Sequence, residues 1–185
     1  MSDSPKVPPI ALSHAGFHVF DMDRMIDFFT TVYGLEVSDR GVIEGRGEVC
    51  FLAAGPDDHH QLVLYEGRTT PADGPVHHNH VSFRVDSMDR LRRIHAALVA
   101  YPGVSRITPI THGNTWSVYA HDPEGNRTEA FVDTPWFVDQ PFGVPYDITQ
   151  DDETIARFTE DLIRDAPGRT SYEDWHRGNK TSRGG

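Results

Sequence analysis

Two stretches of the chain alternate between polar and apolar side chains, and each leads into a run with helical spacing. In the first, His14, Gly16 and His18 face one way against Ala15, Phe17 and Val19, the period of a strand with two unlike faces. The Asp21-Met22-Asp23 segment then supplies an N-cap, and Met25, Ile26, Phe28, Phe29 and Val32 fall on one face of a helix that Gly34 ends. Further on, Leu91, Ile94, Leu98 and Val99 mark a second helix of the same kind. Strand-like pieces follow the first helix at 36–38, 48–53 and 61–65, and the second at 104–109, 115–121 and 127–132, with glycine and proline between them. The pattern is strand, helix, three strands, twice over.

The two halves are copies. His14, Phe17, Val19, Met22, Asp23 and Arg24 recur as His80, Phe83, Val85, Met88, Asp89 and Arg90, all at an offset of 66 residues. An α+β fold of two tandem βαβββ modules is therefore expected, at 10–66 and 77–133. A segment at 1–9 precedes them, and a Thr-, Pro-, Asp- and Gly-containing linker up to residue 76 separates them. In the extension at 134–185, prolines 135, 141 and 145 argue against regular structure. One amphipathic helix is expected near 151–165, and disorder from Gly178 onward. The extension reads as a cover over the repeats or as a lid.

Composition narrows the function classes. The 185 residues are 37% hydrophobic, enough for one domain or two small units, and no apolar run approaches the ~20 residues that span a bilayer. No apolar run marks residues 1–9 as a secretory leader, so a cytoplasmic location is expected. The single cysteine, Cys50, excludes an intrachain disulfide framework and any multi-cysteine zinc site. With 28 acidic against 17 basic residues the formal net charge is −11, which disfavours nucleic acid as a partner. Eleven histidines are an unusual number, although some of them, such as His18, His95 and His176, read as ordinary surface residues.

Three residues stand out for metal chemistry. His14 and His80 open equivalent strands, where pseudo-symmetric units can turn them toward a shared cleft. Asp122, Pro123 and Gly125 form a tight hairpin turn, which sends a final strand back beside the one carrying Tyr119. On that strand Glu129 lies among Thr128, Ala130, Phe131 and Val132, a costly place for a carboxylate unless it is paired or metal-bound. Two histidines and a carboxylate are the facial triad of non-haem Fe(II) oxygenases, with positions open for a diol and dioxygen. Moving Glu129 back by 66 residues lands on Val63, so the first copy adds no fourth ligand.

The repeated unit resembles the vicinal oxygen chelate superfamily, and the stretch from 110 to 129 resembles the signature of type I extradiol ring-cleavage dioxygenases. The elements that carry it are His112, the Val118-Tyr119 pair, the Asp122-Pro123 and Gly125 turn, and Glu129. The resemblance covers about residues 10–140. It implies a curved mixed sheet around a metal cleft, Fe(II) (or Mn(II)) on His14, His80 and Glu129, and extradiol cleavage of a small aromatic diol with O2. It further implies His60 as the acid–base group, with His112 and Tyr119 bonded to substrate oxygen. Trp136 and Phe137 are candidate substrate walls, with ordinary core packing the other reading. His59, His77 and His78 crowd the same region and blur the histidine assignment.

Two other function classes fit the same residues in part. One is a metal-dependent transferase, lyase or epimerase of the same architecture. The other is a protein that sequesters a flat drug and needs no metal. An exposed sheet edge suggests a homodimer or higher homo-oligomer.

Overall fold

The structure is a computed structural model that describes residues 10–69 and 79–183. The 1–9 segment, most of the linker, and His77 and His78 lie outside the described residues. Fifteen elements follow in order: β1 (Ala15–Val19), α1 (Met22–Tyr33), β2 (Glu36–Ile43), β3 (Gly47–Ala53), β4 (Leu62–Glu66), β5 (Val81–Arg84), α2 (Met88–Ala100), β6 (Ser105–Thr111), β7 (Thr115–His121), β8 (Arg127–Asp133), β9 (Trp136–Phe137), β10 (Val144–Pro145), α3 (Asp152–Leu162), β11 (Thr170–Ser171) and α4 (Tyr172–Arg183). Among the described residues two compact units result, one of residues 10–30 and 34–69, the other of residues 31–33 and 79–183. No helix among the described residues is long and apolar enough to cross a membrane.

The fold is α+β with mixed sheets. In the first unit a four-stranded sheet runs β1-β4-β3-β2, with β1 parallel to β4 and the other pairs antiparallel. In the second, a five-stranded sheet runs β10-β6-β7-β8-β5, with β5 parallel to β8. The 66-residue offset holds at the level of backbone register. Ala15 pairs with Leu62, Gly16 with Val63 and Phe17 with Leu64, while Val81 pairs with Thr128, Ser82 with Glu129 and Phe83 with Ala130. Helix starts keep it too. Asp21 accepts a hydrogen bond from the Arg24 amide, and Ser87 accepts one from the Arg90 amide.

Each unit has its own core. Met25, Phe28 and Phe29 of α1 are buried in the first unit, together with Cys50, Leu52, Leu62 and Leu64. In the second, Leu91 and Leu98 of α2 are buried, as are Val118, Ala120 and Ala130 of the sheet. Gly34 ends α1 with φ of 67°, the left-handed conformation a glycine accepts without steric cost.

The C-terminal extension packs on the second unit and is more regular than its prolines suggest. Pro145 lies in β10, an edge strand on which its missing N–H leaves no ladder bond unmade. Val138, Ile148, Ile155 and Ile163 are buried, and the Trp116 indole N–H donates to Thr159 Oγ1 at 2.8 Å. Arg92 of α2 donates to the carbonyls of Ile148 and Gln150 at 3.0 and 2.7 Å. The helix expected near 151–165 is α3. The disorder expected from Gly178 is replaced by α4, whose start is fixed by Ser171 Oγ accepting the Asp174 amide. Trp175 holds it down by stacking on Phe137 at 4.4 Å.

Candidate metal site

Register places the chemistry of the second unit in one row across four strands. Thr108 of β6 pairs with Tyr119 of β7, Tyr119 with Glu129 of β8, and Glu129 with Ser82 of β5. Residues paired in register share a face of the sheet. Strand alternation adds Arg127 to this face, and its guanidinium lies 4.1 Å from the centre of the Tyr119 ring.

Glu129 is 6% exposed and is not alone. Ser82 Oγ donates to its Oε2, and His80 Nε2 lies 3.2 Å from the same oxygen. His80 immediately precedes β5. Its Nδ1 lies 2.7 Å from Asn79 Oδ1, an acceptor, so Nδ1 carries the proton. That leaves Nε2 turned toward a carboxylate oxygen. A proton or a cation can lie between the two atoms. Adjacent ligands of one ion, each bound at about 2.1 Å, stand about 3 Å apart, so this pair fits a divalent metal.

Beside this pair is a second one. His112 Nδ1 donates to the Phe142 carbonyl at 2.6 Å, which leaves Nε2 to accept the Tyr119 hydroxyl at 3.0 Å. Gln140 steadies the loop by donating to the His112 carbonyl at 2.9 Å. Burial first, and then the Glu129 carboxylate, push the Tyr119 hydroxyl well above the usual phenol range, so it remains protonated. The turn between β7 and β8 is braced by Asp122, whose Oδ1 accepts the amides of Glu124 and Asn126 at 2.9 and 2.8 Å.

His14 and His60 belong to the first unit. Their rings lie 4.4 Å apart, and His60 Nδ1 is 2.9 Å from His59 Nδ1. Burial, followed by the neighbouring His14 and His59, lowers the His60 pKa from its ordinary value. His14 immediately precedes β1, as His80 precedes β5. Among the described residues, no group of three or more His, Cys, Asp or Glu side chains is gathered as a metal cluster. Trp136 and Phe137 lie on β9, where Trp136 meets Trp116 edge-on at 6.4 Å and Phe137 stacks on Trp175, the contacts of the packing alternative.

Sequence reasoning did not single out Ser82, Asn79 or Arg127. Ser82 left a readable signal, because the repeat aligns Gly16 with Ser82 and Val63 with Glu129. The copy without the carboxylate also lacks the hydroxyl.

Residues 11–130 match the Glyoxalase/Bleomycin resistance protein/Dioxygenase superfamily. Biphenyl-2,3-diol 1,2-dioxygenase 2 of Rhodococcus globerulus is 28% identical over 167 residues, 80% of each chain. Among solved structures, a glyoxylase/bleomycin resistance protein/dioxygenase domain from Frankia sp. EAN1pec aligns with a TM-score of 0.58 at 22% identity, covering 68% of this chain and 99% of that one. The fosfomycin resistance protein FosX of Listeria monocytogenes, in complex with Mn(II) and sulfate, aligns at 0.53 and 17%, covering 67% and 93%. Both structural likenesses are likenesses of fold.

Proposed function

The chain belongs to the glyoxalase/bleomycin resistance protein/dioxygenase superfamily, and from that premise we propose that it is an extradiol dioxygenase. It splits a small aromatic diol with O2 at one divalent metal ion held by His14, His80 and Glu129. The observation that carries this reading is the His112–Tyr119 pair hydrogen-bonded on the same sheet as the His80–Glu129 pair. A transferase or lyase of this fold needs the metal but has no use for a coupled phenol and imidazole. Similarity to a biphenyl-2,3-diol dioxygenase supports the substrate class. His14 enters the proposal through the repeat, as the counterpart of His80.

Fe(II), or Mn(II) in its place, would supply acidification of the bound diol and activation of dioxygen. The chain's own residues handle protons. Tyr119 Oη takes the proton of a diol hydroxyl while passing its own to His112 Nε2. The resulting imidazolium is held by the Phe142 carbonyl at Nδ1. His60, its pKa lowered, is neutral near pH 7 and is the proposed acid–base group of the first unit.

The test is anaerobic loading with Fe(II), then air with a panel of mono- and bicyclic catechols, following oxygen uptake and yellow product. Stoichiometric uptake that disappears in His14→Ala, His80→Ala and Glu129→Ala supports the proposal. Metal binding that depends on those residues, without oxygen uptake on any catechol, overturns the dioxygenase reading and leaves the transferase or lyase class.

A further inference from the structure

A glutamate carboxylate turns about a broad, weakly hindered torsion, so burial alone does not fix which oxygen faces a neighbour. Glu129 has an added constraint. Its partner across the parallel β5–β8 pair is Ser82, and Ser82 Oγ donates to Oε2, the oxygen 3.2 Å from His80 Nε2. The hydroxyl takes one lone pair of that oxygen and leaves the other toward His80. On the far side, Asn79 Oδ1 fixes the His80 ring through Nδ1, and Arg127 reaches Asn79 Oδ1 at 3.4 Å. Both donor atoms are therefore aimed by a side chain that does not itself face the space between them. The first copy lacks both groups together, since Gly16 and Val63 hold the same register positions with neither hydroxyl nor carboxylate.

We infer that Ser82 is a positioning residue that locks the Glu129 carboxylate with Oε2 toward His80, so that the two bind a divalent cation as a preset pair. The inference rests on the metal-dependent reading above. Outer partners of this kind change metal affinity by about 10–100-fold when removed.

The experiment is calorimetric titration of the full metal-free chain with Mn(II), together with the visible spectrum of the Co(II)-loaded protein, for wild type, Ser82→Ala and Ser82→Thr. Thermal unfolding of each metal-free form checks the fold. Expected for Ser82→Ala is about tenfold weaker Mn(II) binding and an altered Co(II) spectrum, with metal-free stability close to wild type. Ser82→Thr, which keeps the hydroxyl, restores both readouts. Unchanged affinity and spectrum in Ser82→Ala overturn the inference while leaving the metal site standing. A wild-type chain whose Mn(II) binding is absent, or is indifferent to Glu129→Ala, overturns the metal reading and this inference with it.

Discussion

The same row of four strand positions is filled differently in the two copies. In the first it reads Asp39, Phe51, Val63, Gly16, and in the second Thr108, Tyr119, Glu129, Ser82. The backbone beneath is shared, down to the register of the parallel pair and the helix caps. Side chains alone therefore distinguish the first sheet's row from one that carries two hydroxyls, a phenol and a carboxylate. Gly16 is held to the smallest side chain, because a Cβ there would meet the Tyr65 ring at 2.9 Å. A serine like Ser82 could enter only if Tyr65 moved.

Replacing second-copy residues with their first-copy counterparts breaks the comparison most directly. Glu129→Val, which imitates Val63, should weaken Mn(II) binding more than about 100-fold, beyond the range for residues that only support a ligand. Calorimetry checks this, and retained affinity would remove Glu129 from the ligand set. Tyr119→Phe, which imitates Phe51, should bind the metal like wild type yet lose about 100-fold or more in kcat, the scale of a missing proton-transfer group. Steady-state oxygen uptake measures it. A drop confined to KM would instead make Tyr119 a binding group.

Smaller effects sharpen the contrast, since they test features of the second unit alone. Thr159→Val leaves the Trp116 indole N–H without its acceptor and should cost about 1–3 kcal/mol in a denaturant melt. Asp122 gives a pH signature. Burial outweighs its hydrogen bonds and raises its pKa from 3.8 to about 6. The folded state thus favours the protonated acid. Its stabilising contribution is full below about pH 3.8 and is lost as pH rises through 6. Between pH 7 and pH 5 wild type should gain about 1 kcal/mol from this group, and Asp122→Asn should lack that increment. Denaturation midpoints at the two pH values decide it.

The repeat was legible because local chemistry reports it: caps at Asp21 and Ser87, helical spacing behind them, and histidines ahead of both strands. β2 was read as three residues and has eight, all exposed, so no inside–outside alternation marked it. α4 was missed because its polar sequence says nothing about a ring 38 positions back, Phe137, on which Trp175 stacks. The Glu129 neighbourhood was half legible. The carboxylate stood out among apolar residues, but Asn79 and Arg127 act through contacts made only when β5 and β8 pair.

Pairing β5 with β8 also bears on how the chain folds. Ser82 and Glu129 lie 47 residues apart, and Gly16 and Val63 have the same separation. Parallel neighbours cannot close through a tight hairpin, whereas β2–β3, β6–β7 and β7–β8 can, so on loop-closure grounds β1 and β5 dock after the hairpins. Pulse-labelling hydrogen exchange would read this order as late protection of the β1 and β5 amides relative to β3 and β7. The residues just ahead of the late strands are His14 and His80. In a nascent chain the two histidines would then reach their final places only once each sheet is otherwise complete, so the metal site proposed above would form at the last stage of folding.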